Sequence, residues 1–225
     1  MNRTLIQERL DGIRKDILRY SPHPERVRIV AVSKKQSLDK MRAAAASGIN
    51  DFGENRIQDA LAKFETEPFP GIRRHFIGYL QSNKVNKCLQ NFNWLHSLQT
   101  DKIARMIADS GREMICLIEV NISGESNKSG LAPEEVLPFV KSIREYKGLL
   151  VRGLMGMAAL TADETKIRSS FSLLRSVSES CKFMENDSIR FEELSMGMTH
   201  DYRIALQEGA TILRIGTGIF GPRGE

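Results

Sequence analysis

No stretch of this chain approaches the roughly 20 apolar residues that a membrane-spanning helix needs, and a charged start, MNRTLIQERLDGIRKDILRY, lacks the apolar segment of a secretory signal. Both absences point to a cytoplasmic protein. Cysteine is scarce: Cys88, Cys116 and Cys181 are odd in number and far apart, which fits neither a disulfide framework nor a zinc-ligand spacing. They read as packing residues, and no metal site is expected. Basic runs and interleaved aromatics are also missing, so the net charge of +5 does not mark a nucleic-acid surface; a mildly positive protein that attracts small anions explains it as well. Linkers, low-complexity tracts and composition breaks are absent too. The 225 residues, 41% hydrophobic and 27% charged, are read as one domain over 1–225.

What the chain does have is an alternation of two periodicities. Short apolar runs predict strands at 27–33, 49–53, 74–78, 94–98, 114–122, 150–157, 191–196 and 211–215. Helical stretches separate them. Ser37 is placed to cap one that Gly48 ends, Thr100 one that Gly111 ends, and Pro133 suits the first turn of another running to about Tyr146. Others are expected near 55–66, 82–90, 163–184 and 200–208, and an amphipathic helix over 3–20 precedes the first strand. Eight strands with seven intervening helices predict a single (β/α)8 barrel, the extra N-terminal helix covering the last gap; an open doubly wound sheet is the alternative.

Barrel active sites lie at the C-terminal ends of the strands. The first strand runs apolar and then presents Lys34, where partial loss of hydration would favour the neutral amine that attacks a carbonyl; snorkelling to solvent is the plain alternative. Lys35 would point the other way if the strand continued. The seventh and eighth strands end in Ser195-Met196-Gly197-Met198-Thr199 and Arg214-Ile215-Gly216-Thr217-Gly218, where glycines, hydroxyls and a helix start suit a phosphate. Strands one and eight adjoin in a closed barrel, so an amine and a phosphate anchor would face one ligand: an aldehyde bearing a phosphate. Pyridoxal 5′-phosphate (PLP) is the first choice, and a sugar phosphate handled by a Schiff-base aldolase the competitor. His75 and His96 read as satisfied core or mouth histidines. Met155, Met157, Met196 and Met198 read as the barrel's upper layer.

Seven segments then carry a resemblance: A-V-S-K (31–34), F-G-E-N (52–55), H-F-I-G-x-L-Q-x-N-K (75–84), N-x-S-x-E-x-x-K-S-G (121–130), R-G-L-M (152–155), S-M-G-M-T-x-D (195–201) and R-I-G-T-x-I-F-G (214–221). In order and over nearly the whole chain, they resemble the pyridoxal phosphate homeostasis proteins, similar in fold to the barrel domain of alanine racemase. The resemblance implies a protein of vitamin B6 and amino-acid balance with no established turnover. It places the Schiff base on Lys34, the cofactor's phosphate at Ser195, Met196, Arg214, Gly216 and Thr217, and Asn55 near the ring. Tyr79, where proline or histidine is commoner, and Lys35-Gln36, where Thr-Lys is commoner, depart from the pattern. The racemase's second domain, with its opposing tyrosine, is expected to be missing, and Tyr20, Tyr79, Tyr146 and Tyr202 offer no obvious replacement. A monomeric carrier passing PLP transiently to apoenzymes is therefore expected, with a racemase-like or lyase enzyme and a non-covalent phosphate sensor as alternatives. Lys128 is a candidate second amine at the mouth, against the plainer reading of a solvated loop lysine.

Overall fold

The computed structural model describes residues 3–67, 69–125 and 128–222. Eight strands, β1 (Arg28–Val32), β2 (Asp51–Glu54), β3 (Arg73–Phe76), β4 (Trp94–Leu98), β5 (Met114–Val120), β6 (Leu149–Gly156), β7 (Ile189–Ser195) and β8 (Ile212–Ile215), form a closed barrel in sequence order. All pairings are parallel, and β1 closes onto β8 with Val30 beside Arg214. Closure settles the choice between barrel and open sheet. The strands lie within a few residues of their expected places.

Helices cover the barrel: α1 (Arg3–Tyr20), α2 (Leu38–Ala46), α3 (Ile57–Thr66), α4 (Val85–Asn91), α5 (Asp101–Asp109), α6 (Pro133–Ile143), α7 (Glu164–Cys181), α8 (Tyr202–Gln207) and α9 (Thr217–Phe220). Their starts follow the sequence. The Ser37 hydroxyl accepts from the Lys40 N–H, the Thr100 hydroxyl from that of Ile103, and the Asp163 carboxylate from those of Thr165 and Lys166. Ile6, Leu10, Ile13 and Ile17 recur every three or four residues, so α1 buries one stripe, which packs on α2, α8 and α9. The opening helix thus covers the seam where β8 meets β1.

Alternation along the strands divides the core in two. Val30, Trp94, Leu117, Met155 and Ile212 fill the barrel's interior, while the larger cluster, Met196 included, lies between sheet and helices. Cys88, Cys116 and Cys181 are all buried, and burial pushes the Cys88 thiol up to about 12, which keeps it an unreactive packing group. Among the described residues, no helix is long and apolar enough to cross a membrane.

Candidate functional site

At the C-terminal end of the barrel the strand ends enclose a cavity of about 460 Å³, within the size range of small-ligand pockets. Five of the expected residues line it: Lys34, Asn55, Arg214, Gly216 and Thr217. Glu119, Thr199 and Tyr79 join them, with Met155, Met157 and Met198 as the apolar part of the wall.

Lys34 sits in a turn rather than on the strand. β1 stops at Val32, and the chain bends through Ser33-Lys34-Lys35, with Lys35 in the left-handed region at φ 60°. The bend, not the pleat, turns Lys35 out to solvent, which corrects the expectation of a strand through residue 33. The turn is fixed from below. Glu54 is fully buried and accepts from the Ser33 hydroxyl at 2.8 Å and from Lys63 Nζ at 2.7 Å; the same ammonium donates to the Ser33 carbonyl at 2.6 Å. This pair, shielded from water, holds the segment that carries Lys34 through Glu54 Oε1, while Glu54 Oε2 is buried with no hydrogen-bond partner among the described residues. Lys63 was invisible as a site residue in the sequence, because a lysine on a helix face has no pattern that tells this use from solvation.

Arg214 is 4% exposed, and its guanidinium donates to the Ser195 carbonyl at 2.6 Å, the Ser195 hydroxyl at 2.7 Å and the Gly156 carbonyl at 3.0 Å. Burial lowers its pKa to about 10, against the pull of Asp201 and Glu119, so it remains a cation at neutral pH. Ser195 lies beneath the cavity floor, its hydroxyl between Arg214 and His96, and does not line the cavity. Met196, the residue after β7, points the opposite way into the shell under the helices. Neither side chain lines the cavity, since the pleat cannot aim two consecutive side chains the same way. For the same reason Met196 is no part of the barrel's upper layer, whereas Met155, Met157 and Met198 are. His75 and His96 are core histidines, fully buried and hydrogen-bonded.

Glu119 is the residue of the cavity's charged lining that sequence reasoning missed. It is 4% exposed, faces the cavity from β5 and receives a long contact from Gln99 Nε2 at 3.4 Å. Burial raises its pKa to about 7, opposed by Arg214. A lone carboxylate in the apolar run MICLIEV was the available signal.

After β8 the chain turns at once into α9, and the Thr199 and Thr217 hydroxyls meet at 3.2 Å across that turn. Thr199 also accepts from the Gly218 N–H at 3.1 Å, which ties the β7 loop to the β8 loop. Gly197, at φ 91°, makes the bend that brings Thr199 there; a Cβ on it would meet the Ala205 Cβ at 2.6 Å. Opposite, Gly78 lets the segment after β3 approach Asn55 so closely that a Cβ would collide with the Asn55 carbonyl oxygen. Tyr79 stands at the rim, 63% exposed. Tyr146 and Tyr202 are engaged away from the cavity, donating to Asp101 and Asp16. Lys128 is not among the lining residues; its Nζ lies 2.7 Å from Glu125 Oε1.

The model of the alanine racemase N-terminal domain family matches residues 9–224. A pyridoxal phosphate homeostasis protein of Pseudomonas aeruginosa is 37% identical over 206 residues, 89% of this chain and 86% of that one. One of Schizosaccharomyces pombe is 35% identical over 226 residues, 97% of this chain and 93% of that one. Among solved structures, PipY of Synechococcus elongatus PCC7942 with PLP bound is 31% identical and superposes with a TM-score of 0.83 over 96% of this chain and 100% of that one. The alanine racemase of E. faecalis, at 15% identity and a TM-score of 0.74, covers all of this chain and 60% of its own, a likeness of fold alone. This chain belongs to the pyridoxal phosphate homeostasis protein family, within the wider family of alanine racemase N-terminal domains.

Proposed function

We propose that this protein binds pyridoxal 5′-phosphate covalently at Lys34 and holds it for vitamin B6 and amino-acid homeostasis, without turnover of its own. The observation that carries the reading is the convergence of a fixed lysine turn and a buried arginine on one cavity, in a chain 31% identical to a protein solved with PLP. The donor set suits an anionic, aromatic aldehyde. Arg214 supplies a dry cation, the first turn of α9 supplies backbone N–H groups, and Thr199 and Thr217 supply hydroxyls for a phosphate. The methionine wall offers polarisable, adaptable contact to a ring. When bound, the cofactor supplies an aldehyde carbon that a primary amine attacks.

On this reading Lys34 Nζ is that amine, and the Ser33–Glu54–Lys63 cluster keeps its turn aimed at the cavity. Gly216 and Thr217 take the phosphate side, Arg214 adds charge, and Asn55 borders the ring. Ser195 acts through Arg214, and Met196 supports the same loop from behind. The protein works as a monomer in the cytoplasm, and passes the cofactor transiently to apoenzymes, without binding nucleic acid or membrane. Replacing Lys34 by alanine removes the visible absorption band that wild type develops with PLP. An unchanged band and stoichiometry in that variant would refute covalent holding at this residue.

Glu119 favours a second reading, a racemase-like or lyase enzyme. With its pKa near neutrality inside the cavity, this carboxyl can hold or yield a proton there. Solvent deuterium exchange at Cα of alanine separates the two. The holding reading predicts exchange no faster than free PLP gives; exchange that wild type accelerates and Glu119→Gln abolishes would establish the enzyme.

A further inference from the structure

A continuous line of hydrogen bonds runs through the barrel from its N-terminal floor to the cavity. Asp51 Oδ1 lies 2.8 Å from His75 Nε2, His75 Nδ1 lies 2.9 Å from His96 Nε2, and His96 Nδ1 lies 3.0 Å from Ser195 Oγ. Arg214 completes it with its donation to Ser195 Oγ at 2.7 Å. Both histidines are fully buried, His75 stacked on Trp94 with ring centres 5.3 Å apart.

The two ends fix the direction. A guanidinium only donates, and an ionised carboxylate only accepts. Burial alone would raise the Asp51 carboxyl, yet hydrogen bonds from Arg73 and His75 outweigh it and hold it at about 2, so it is ionised. Burial also lowers both histidines, which are therefore neutral. One proton per ring leaves one arrangement. His75 donates from Nε2 to Asp51, His96 donates from Nε2 to His75 Nδ1, and the Ser195 hydroxyl donates to the bare Nδ1 of His96. Its oxygen then turns its lone pairs to Arg214.

We infer that His96 is a positioning residue for the cofactor contact of Arg214, with His75 and Asp51 fixing which of its nitrogens is bare. The inference rests on the proposed PLP site for its consequence, though not for the chain itself. With Nδ1 of His96 bare, the Ser195 hydroxyl spends its proton there and leaves its lone pairs to Arg214; with that nitrogen protonated, Arg214 would share the Ser195 oxygen with a second donor and keep only its bonds to the Ser195 and Gly156 carbonyls undivided. The same barrel therefore keeps a polar line through its interior, where apolar packing would otherwise be the simpler filling.

Nitrogen NMR of the histidine-labelled protein without cofactor tests the chain directly, since protonated and bare ring nitrogens resonate far apart. Both rings protonated at Nε2 and bare at Nδ1 is the expected result; Nδ1 protonation of either ring overturns the inference. Titration with PLP then tests the coupling. His96→Leu is expected to weaken binding about tenfold and to move the absorption maximum of the bound cofactor. His96→Asn, whose Oδ1 can replace the bare Nδ1, is expected to recover most of the affinity and the maximum. A merely structural role would instead make both variants lose affinity in step with their melting temperatures, with the absorption maximum unmoved, and that pattern overturns the inference. Should wild type take up no PLP, the proposed site fails, and the ring-nitrogen pattern still decides whether the chain exists.

Discussion

Glu119 and Arg214 are buried in the same small volume, and each carries a charge state that the other helps to set. For Glu119 the folded pKa of about 7 lies above the ordinary 4.5, so the folded protein binds more protons than the unfolded chain between those values. Its contribution to stability is therefore greatest below pH 4.5 and declines as pH rises through 7, by roughly 3 kcal/mol in all. Glu119→Gln removes this decline. Denaturant unfolding at pH 5 and pH 8 should show the variant gaining on wild type at the higher pH; a difference that stays constant would contradict the burial argument. At this scale the sequence was partly legible. Lys34, Asn55, Arg214, Gly216 and Thr217 face the cavity because each follows or ends a strand. Met196 does not, because glycine and hydroxyl content identifies a loop but only the pleat decides which side chain enters the barrel. The Glu54–Lys63 pair was illegible, since the two residues meet only after α3 folds back onto β2.

Among the elements, α1 bears the clearest separable consequence. Its stripe covers the β8–β1 seam, where Lys34 and Gly216 stand on neighbouring strand ends. Leu10 is fully buried in that stripe. Leu10→Ala should cost about 2–5 kcal/mol by thermal or denaturant unfolding, the range for a cavity left in a packed core. A cost below 1 kcal/mol would mean that α1 is not a structural part of the barrel. The extent of α1 was readable, because four apolar positions at helical spacing leave little choice. α9 was not, as four residues, Thr217–Phe220, cannot show a period; it forms because β8 ends against β1 and the chain must turn. Strand ends drifted by one or two residues where β1 and β5 leave the sheet earlier than their apolar runs do.

For the molecule as a whole, eight alternating units were visible in the sequence, while ring closure was a geometric inference that the β1–β8 pairing bears out. Closure is what assembles the candidate site. It brings a lysine turn from the start of the chain beside an arginine and a hydroxyl-lined helix start from its end, around one cavity. Nothing in that layout calls for more than one cofactor per chain. The direct test is to saturate wild type with PLP, reduce with borohydride, and measure intact and peptide masses. The account predicts a single added pyridoxyl phosphate on the peptide containing Lys34; an unlabelled chain, or a label carried mainly by another lysine such as Lys63 or Lys128, would contradict it.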